Sequence, residues 1–227
     1  MKISVIIPAY NEVKTIHEIV RRVKATDLID EIVVVDDGSK DGTREVLAEI
    51  AESEGVKVIL HDRNQGKGAA VRTGIQAATN DVMIIQDADL EYDPRDYAGL
   101  FRPLEEGIAD VVYGSRFLGG ARRPILFWNM VANKILTLVT NILYNNILTD
   151  METGYKVFRR SVVKDMVIHA RGFEFEPEFT AKVLKRKVRI FEVPITFNPR
   201  DYADGKKIKM KDAFIAMWAL IKYRFVD

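Results

Sequence analysis

The sequence predicts an α/β fold in which helices cover both faces of a mostly parallel sheet. Two observations carry this prediction. First, short apolar runs rich in β-branched residues recur through the first half, such as Val33-Val34-Val35 and Val82-Met83-Ile84-Ile85. Continuous runs of this kind are typical of parallel strands that are buried on both faces. Second, each run is followed by a stretch with helical spacing, and this alternation indicates a layered α/β architecture with right-handed crossovers.

The elements of the first half follow in a regular order. Apolar runs predict strands over Ile3 to Ile7, Glu31 to Val35, Val56 to Leu60, Val82 to Gln86 and Asp110 to Tyr113. Helical spacing with plausible start signals predicts helices over Glu12 to Ala25, Asp41 to Ser53, Gly68 to Ala78 and Pro94 to Glu106.

After residue 115 the rhythm changes. The predicted strands are Tyr155 to Phe158 and Val188 to Val193. The predicted helices are Ile125 to Leu148, Ser161 to His169, Glu176 to Lys185 and Lys211 to Phe225. We see neither an internal repeat nor a low-complexity linker, so residues 1–227 are predicted to form a single domain. The change of rhythm divides this domain into two halves, about 1–115 and about 116–227.

Composition narrows the function classes. The chain has 227 residues, of which 48% are hydrophobic and 30% charged, as in ordinary globular proteins. Its formal net charge of +1 gives no electrostatic indication of a nucleic-acid partner. Cysteine is absent, which excludes thiol catalysis and cysteine-ligated metals. The start, MKISVIIPAY, is expected to be a first buried strand and not a signal peptide.

Three polar clusters follow predicted strands. They are Pro8 to Glu12 after the first strand, Asp36 to Ser39 after the second, and Asp87 to Asp89 after the fourth. In an open α/β sheet, ligands bind beyond the carboxyl ends of the strands. The clusters are therefore expected to converge on one ligand-binding edge.

Asp87 and Asp89 bracket one small residue directly after a buried-looking strand. Two carboxylates in this position can bind a hard cation such as Mg²⁺ or Mn²⁺ and leave its other positions for water and substrate phosphates. Glu91 lies two residues further and could join them. The alternative is a pair of turn or helix-capping aspartates. The preceding strand favours the metal site.

Two other motifs are less specific. The run Asp36-Asp37-Gly38-Ser39 is equally consistent with a ligand site and with a strand-to-helix loop capped by Ser39 or Asp41. The run Asn64-Gln65-Gly66-Lys67-Gly68 lacks the spacing of a P-loop, so a P-loop NTPase is rejected. The histidines, which are expected to pack or face solvent, are His17, His61 and His169.

Six motifs in order, VIIPAYNE, VVVDDGSKDGT, RNQGKGAAVRTG, QDADLEYDP, YGSRF and DMETGYKVFRR, carry a family resemblance. Together they resemble the inverting family 2 glycosyltransferases of the Rossmann-like GT-A fold over nearly the whole chain. Within that family the chain is most similar to the dolichyl-phosphate mannose synthase branch, which transfers sugars to polyisoprenyl phosphates.

The resemblance implies that about 1–115 would bind the nucleotide sugar and about 116–227 would bind the acceptor and a membrane interface. It also implies a function for each residue that matches a family motif. The nucleoside pocket would be lined by Pro8, Ala9, Tyr10 and Glu12, and the base or ribose would meet Asp36 or Asp37. The donor phosphates and metal would be bound through Lys67, Asp87, Ala88 and Asp89, with Glu91 as a further metal ligand where relatives often have glutamine. A mobile loop would add the positive charge of Lys206 and Lys207. The residues assigned to catalysis are Asp89, Arg116 and Asp150.

The acceptor site departs from the branch pattern. Relatives add an arginine and a serine from the next helix, and the nearest equivalents here are Arg122 or Arg123, and Asn129. The acceptor set predicted from the resemblance is Ser115, Arg116, Arg123 and Asn129. Asp150 and Glu152 are further candidates for orienting the acceptor.

The predicted reaction is metal-dependent transfer of a hexose from GDP-mannose or UDP-glucose to a polyisoprenyl phosphate. A phosphate monoester is already anionic at pH 7, so no dedicated general base is required. Two alternatives remain open: transfer to a soluble or polysaccharide acceptor, and a nucleotide-sugar-binding subunit of a membrane complex. A nucleotidyltransferase is disfavoured because no glycine-rich basic triphosphate loop lies near the N-terminus.

Two segments are predicted to lie in a membrane interface without spanning the bilayer. Ile125 to Leu148 has a single charge, Lys134, and a polar stripe that repeats every four residues from Asn129 to Asn145. The C-terminal helix places Phe214, Trp218, Ile221 and Phe225 on one face, flanked by basic residues. Ordinary core packing is the alternative. The expected location is the cytoplasmic face of a membrane, bound peripherally to lipid or to a membrane-embedded partner.

Overall fold

The computed structural model describes residues 1–119, 123–124, 126–199 and 210–226, without the side chains of 210–212. Seven strands form one sheet: β1 (Ile3–Ala9), β2 (Glu31–Asp36), β3 (Lys57–Leu60), β4 (Val82–Ile85), β5 (Val111–Ser115), β6 (Lys156–Arg159) and β7 (Ile190–Pro194). Their order across the sheet is β3-β2-β1-β4-β6-β5-β7. β6 runs antiparallel to both β4 and β5, and the other neighbouring pairs are parallel. The predicted mostly parallel sheet is confirmed.

The helices alternate with these strands as predicted. They are α1 (Ile16–Lys24), α2 (Thr43–Glu54), α3 (Lys67–Ala77), α4 (Tyr97–Glu105), α5 (Phe127–Tyr144), α6 (Arg160–Val163), α7 (Phe175–Lys185) and α8 (Met210–Phe225). A short 3₁₀ turn, Pro94–Asp96, leads into α4. Asp93 caps that turn by accepting a hydrogen bond from the Arg95 N–H.

The sheet is covered on both faces, which explains the continuous apolar runs. Along β1, Val5 and Ile7 pack into the core formed with α1, α2 and α4. Ile6, between them, packs into the opposite core with α3 and α7. Side chains alternate across a strand, so a strand buried on both faces needs an apolar residue at every position.

Three predicted helices are too long. Glu12 to Ala25 begins four residues before α1, and Ile125 to Leu148 ends four residues after α5. Ser161 to His169 continues six residues past the end of α6. Side chains from other elements satisfy the backbone beyond it. The N–H groups of His169 and Ala170 donate to the Glu178 carboxylate, and the Ile168 carbonyl accepts from Arg72. These bonds replace the local hydrogen bonds that a helix would make, so the chain runs extended onto α7.

Helix α5 has an inverted amphipathic pattern. Asn133, Thr137 and Thr140 on its polar face are buried in the protein. Its apolar face carries side chains that are exposed, including Trp128 at 76% and Ile142 at 71%. Within the described part of the chain, no helix is both long enough and apolar enough to cross a membrane.

Candidate active site

The acidic cluster after β4 is preceded by Gln86, whose side chain is buried. Its amide oxygen accepts hydrogen bonds from the hydroxyls of Tyr97 and Tyr155, each at 2.7 Å, and its amide nitrogen donates to the Asp87 carbonyl at 3.0 Å. A buried amide with both groups satisfied is held in one orientation. The position at which the chain leaves the sheet toward Asp87 is therefore set by packing in the core.

Lys67, at the start of α3, extends to the same cluster. Its Nζ lies 2.7 Å from Asp87 Oδ1 and 3.3 Å from Glu176 Oε1. Burial alone would lower the pKa of the Lys67 ammonium, but the Asp87 and Glu176 carboxylates raise that pKa well above its ordinary value. Lys67 is therefore a permanent positive charge between two carboxylates.

The remaining acidic residues of the motif form a tight turn. Asp89 Oδ1 accepts a hydrogen bond from the Glu91 N–H at 3.1 Å, and Leu90 between them has φ 63°. The Glu91 carbonyl accepts from the Asn198 N–H at 2.9 Å. These contacts fit the turn interpretation of Asp89, which the sequence left as the alternative to metal binding.

The predicted three-carboxylate metal set is not gathered in this structure. Among the described residues, no group of three or more His, Cys, Asp or Glu side chains is close enough to hold a metal ion. One oxygen of the Asp89 carboxylate accepts from the backbone of its own loop. Mg²⁺ and Mn²⁺ in phosphate-transfer sites need only one or two protein carboxylates, with phosphates and water completing the shell. The oxygen donors of Asp87 and Asp89 fit such an ion, and Glu91 as a third ligand stays a prediction.

Asp36 and Asp37, at the end of β2, are buried and engaged in internal contacts. The Asp36 carboxylate accepts from the N–H groups of Gly38 and Ser39 and from Arg44. The Asp37 carboxylate accepts from the N–H groups of Gln65 and Gly66 and lies 2.8 Å from His61 Nδ1. Asp37 thus shapes the turn that presents Lys67. A contact of either aspartate with base or ribose stays a prediction.

The residues after β1 lie beside the turn that follows β2, because Ala9 and Asn11 bond to Asp37 and Ser39. Pro8 and Ala9 end the strand, and Tyr10 follows, half-buried. Glu12 is buried; its N–H donates to Thr43 Oγ1 at 2.9 Å, and its carboxylate accepts from the Thr15 hydroxyl. The three polar clusters thus follow the carboxyl ends of β1, β2 and β4, as predicted. The predicted N-cap of α2 at Ser39 or Asp41 is wrong, because Gly42 holds that position. The Asp41 carboxylate still accepts from the Thr43 N–H, from one residue before the cap.

After β5, Arg116 forms a bidentate ion pair with the buried Asp150. Arg116 Nε and Nη2 each lie 2.7 Å from a different Asp150 oxygen, and the Arg116 N–H adds a third bond at 3.0 Å. Burial raises the pKa of Asp150, but the guanidinium outweighs it and lowers that pKa. The structure thus brings together two of the three residues predicted to be catalytic.

The acceptor residues predicted from the resemblance are placed unevenly. The Ser115 hydroxyl is buried and lies 2.6 Å from the Thr149 hydroxyl. Arg123 is exposed, and its N–H donates to the Phe197 carbonyl. Asn129 lies half-buried in the first turn of α5. It is Asn133, one turn later, that donates to Asp150 at 3.1 Å. The sequence identified the stripe but not which amide would reach the site.

A buried ion pair between β6 and α7 was missed by the sequence analysis. The Lys156 ammonium donates to the Glu176 carboxylate and to the carbonyls of Met151 and Thr153. A lysine inside the apolar strand GYKVF was the available signal, because a fully buried lysine needs partners. The predicted donor-binding lysines Lys206 and Lys207 lie outside the described residues.

The chain matches the family model "Glycosyl transferase family 2" over residues 4–167. It is 34% identical over 219 residues to a dolichol-phosphate mannosyltransferase of Pyrococcus furiosus, covering 94% of this chain and 61% of that protein. It therefore spans less than two thirds of that relative's length. It is also 30% identical over 242 residues to a UDP-N-acetylglucosamine–dolichyl-phosphate N-acetylglucosaminyltransferase of Methanococcus voltae, covering 96% of this chain and 94% of that protein.

Among solved structures, the chain is similar to glucosyl-3-phosphoglycerate synthase of Mycobacterium tuberculosis in complex with Mn²⁺, UDP and phosphoglyceric acid. The TM-score is 0.77 at 22% identity, covering all of this chain and 79% of the other. At that identity the likeness concerns the fold, and it confirms the predicted GT-A layered fold.

Proposed function

The chain belongs to glycosyl transferase family 2, and we propose that it transfers a hexose from GDP-mannose or UDP-glucose to a polyisoprenyl phosphate. Two relatives of 30% identity or more are named for transfer involving dolichyl phosphate. The structural observation that carries the proposal is the placement of two charged centres along one edge of the sheet. The Lys67–Asp87 centre lies after β4, and the Arg116–Asp150 centre lies after β5.

Tyr92 and Gly154 link these centres. The Gly154 N–H donates to the Tyr92 hydroxyl at 3.0 Å, and a Cβ at Gly154 would lie 2.5 Å from Asp87 Oδ2. Gly154 belongs to the same loop as Asp150. One rigid connection therefore joins the carboxylate proposed for the donor to the ion pair proposed for the acceptor. Such joint positioning is what a displacement between two bound substrates requires.

The donor end must accommodate a diphosphate that gains negative charge as the sugar leaves. A divalent cation bound by Asp87 and Asp89 would neutralise that charge. Lys67 adds a fixed ammonium from the protein itself. Charges held in place before the reaction stabilise the transition state without reorganisation.

The acceptor end carries the guanidinium of Arg116. Asp150 binds Arg116 through Nε and Nη2, which fixes the plane of the guanidinium. Because Nε and Nη2 bind Asp150, Nη1 is the nitrogen that would contact an acceptor phosphate. A phosphate acceptor needs orientation more than deprotonation, because it is already anionic at neutral pH.

The apolar faces of α5 and α8 support a membrane-bound acceptor. The two helices pack together through Leu136, Ala216 and Leu220. Their outer faces expose large apolar side chains, and so does one residue after each helix. These residues are Phe127, Trp128, Ile135, Leu138, Ile142, Ile147, Phe214, Trp218, Ile221, Phe225 and Val226. For the predicted face of α8, these exposures contradict core packing. A patch of this extent is unusual on a monomer that contacts only water, and it suits insertion among lipid headgroups.

The experiment is a transfer assay with Mn²⁺ or Mg²⁺, a short isoprenyl phosphate, and a panel of GDP-mannose, UDP-glucose and UDP-N-acetylglucosamine. The proposal expects one donor to give a lipid-linked sugar, and expects Asp89→Ala to abolish turnover. Asp165→Ala, which changes an exposed aspartate next to α6, is the matched control and should retain turnover. Transfer to water-soluble acceptors alone, or donor binding without turnover, would support one of the alternatives instead.

A further inference from the structure

Two carboxylate oxygens in the site lack hydrogen bonds. Glu152 Oε1 and Glu176 Oε1 are shielded from solvent, and neither has a hydrogen-bond partner among the described residues. The Glu176 side chain as a whole is only 4% exposed. A buried carboxylate oxygen without a donor costs free energy, and native proteins leave few of them. Two such atoms near one another need an explanation.

The protein holds Glu176 in place by its other oxygen. Glu176 Oε2 accepts from Lys156, which is itself fixed by two backbone carbonyls. Lys67 Nζ lies 3.3 Å from Glu176 Oε1, close enough for an ion pair but without the geometry of a hydrogen bond. The side chain is therefore anchored, while Oε1 is left without a hydrogen-bond donor.

Glu152 lies in the loop between Asp150 and β6. Burial raises its pKa to about 7, and the nearby Glu176 and Asp150 carboxylates raise it while Lys156 and Arg116 lower it. The Glu152 carboxyl thus interacts electrostatically with Glu176 and with the Arg116–Asp150 pair. Glu176 in turn is linked through Lys67 to Asp87.

Glu176 therefore contacts the donor centre through Lys67, and Glu152 lies two residues after Asp150 of the acceptor centre. In a sugar transfer, the sugar must lie between the leaving diphosphate and the attacking group. A hexose presents several hydroxyl donors, and a carboxylate oxygen is among the strongest acceptors for them. Hydrogen bonds from hydroxyls would satisfy both oxygens.

We propose that Glu152 and Glu176 form the subsite for the hexose of the donor, with Glu152 Oε1 and Glu176 Oε1 accepting hydrogen bonds from its hydroxyl groups. The inference rests on the proposed function and adds the residues that recognise the sugar. These two glutamates then determine donor choice, because a site built to bind a hydroxyl discriminates against a sugar that lacks it or presents it elsewhere.

The test compares two ligands by calorimetry in the presence of Mn²⁺: the nucleoside diphosphate alone, and the same diphosphate carrying the sugar. Glu152→Met removes one acceptor without leaving a hydrogen-bonded partner unpaired. Glu176→Gln weakens the other acceptor while keeping its shape. Glu152→Met should bind the diphosphate within about 2-fold of wild type but lose about 10-fold in affinity for the nucleotide sugar. Glu176→Gln also changes the surroundings of Lys67, so it is expected to lose more affinity for the nucleotide sugar than for the diphosphate.

Glu178→Gln is the matched control on the same helix. Glu178 is buried, but its carboxylate is satisfied by the N–H groups of His169 and Ala170 and by Lys182. Glu178→Gln should lower stability and leave the sugar-dependent part of the affinity intact.

The outcomes distinguish failure of the sugar subsite from failure of the proposed function. Unchanged nucleotide-sugar affinity in Glu152→Met would overturn the subsite while leaving the transferase proposal standing. Equal loss of both ligands would also overturn it, because the glutamates would then act on the fold. Wild-type protein that binds neither ligand would overturn the proposed function and the subsite together. Should Glu176→Gln fail to fold, Glu152→Met decides.

Discussion

Lys67 Nζ lies 2.7 Å from Asp87 Oδ1, so an ammonium from α3 neutralises the first carboxylate of the acidic motif after β4. The turn preceding Lys67 is held by Asp37, which follows β2. Two segments far apart in sequence thus meet at this carboxylate, and a third holds the turn that leads to it. The same carboxylate is the proposed metal ligand, so Lys67 and a divalent cation would share it.

Lys67→Met should destabilise the protein by about 3–5 kcal/mol, because it leaves Asp87 and Glu176 without their shared cation. Urea unfolding measures the loss. Mn²⁺ should raise the melting temperature of Lys67→Met more than that of wild type, since a metal at Asp87 replaces the missing charge. Lys164→Met, at an exposed lysine, is the control. An equal Mn²⁺ effect on both proteins would argue against a shared carboxylate.

Gly154→Ala should weaken donor binding and destabilise the fold by about 1–3 kcal/mol through overpacking. Its Cβ would lie 2.5 Å from Asp87 Oδ2 and 3.0 Å from the Tyr92 ring. Gly99→Ala offers a contrast, because nothing lies within 4 Å of that Cβ in helix α4. It should be neutral or stabilising, by up to about 1 kcal/mol. Equal melting temperatures for the two variants would refute the steric argument.

Arg116→Met should lower the free energy of unfolding by about 3–5 kcal/mol, because Asp150 is left buried without its partner. Asp150→Asn alone should also destabilise. The double variant should be less destabilised than the sum of the two, since no uncompensated charge remains. Chemical denaturation of all four proteins gives the coupling energy. Strict additivity would show that there is no coupling free energy between Arg116 and Asp150.

The Glu152 carboxyl predicts a pH dependence of stability. Its folded pKa of about 7 lies above the ordinary 4.5, so the folded state binds more protons between these values. Stability should therefore fall as pH rises from about 4.5 to 7, by about 3 kcal/mol, and then level off. Glu152→Gln should remove this component and gain stability at pH 8 relative to wild type. Unchanged pH profiles in unfolding experiments would contradict the prediction.

Replacing Trp218 and Phe225 by serine should weaken binding to vesicles containing anionic lipid. These side chains are 66% and 80% exposed on α8, and inserting each into lipid contributes about 1.5–3 kcal/mol. Flotation should show at least a 10-fold loss of affinity for the double variant. Ile108→Ser, an exposed apolar residue between α4 and β5, is the control and should float like wild type. Wild-type protein that stays with the soluble fraction would overturn the membrane interface.

The local patterns in the sequence were sufficient for the fold class. Apolar runs located all seven strands to within a few residues. The reason is clearest in the central strands β1 and β4, because a strand buried on both faces must be apolar at nearly every position. The largest overextension, the helix predicted from Ser161, arose where Glu178 and Arg72 supply hydrogen bonds from outside the segment. The local sequence pattern gives no information about hydrogen-bond partners in distant segments.

The sequence by itself determined the α/β architecture, the convergence of polar clusters on one edge, and the family motifs. Only the tertiary structure decided which charges meet. In the folded chain, Lys67 pairs with Asp87 and Glu176. Asn133, and not Asn129, contacts Asp150, and the polar face of α5 is buried. The physical reason is that ion pairs and hydrogen bonds between distant segments depend on how helices and strands pack, which spacing along the chain does not encode.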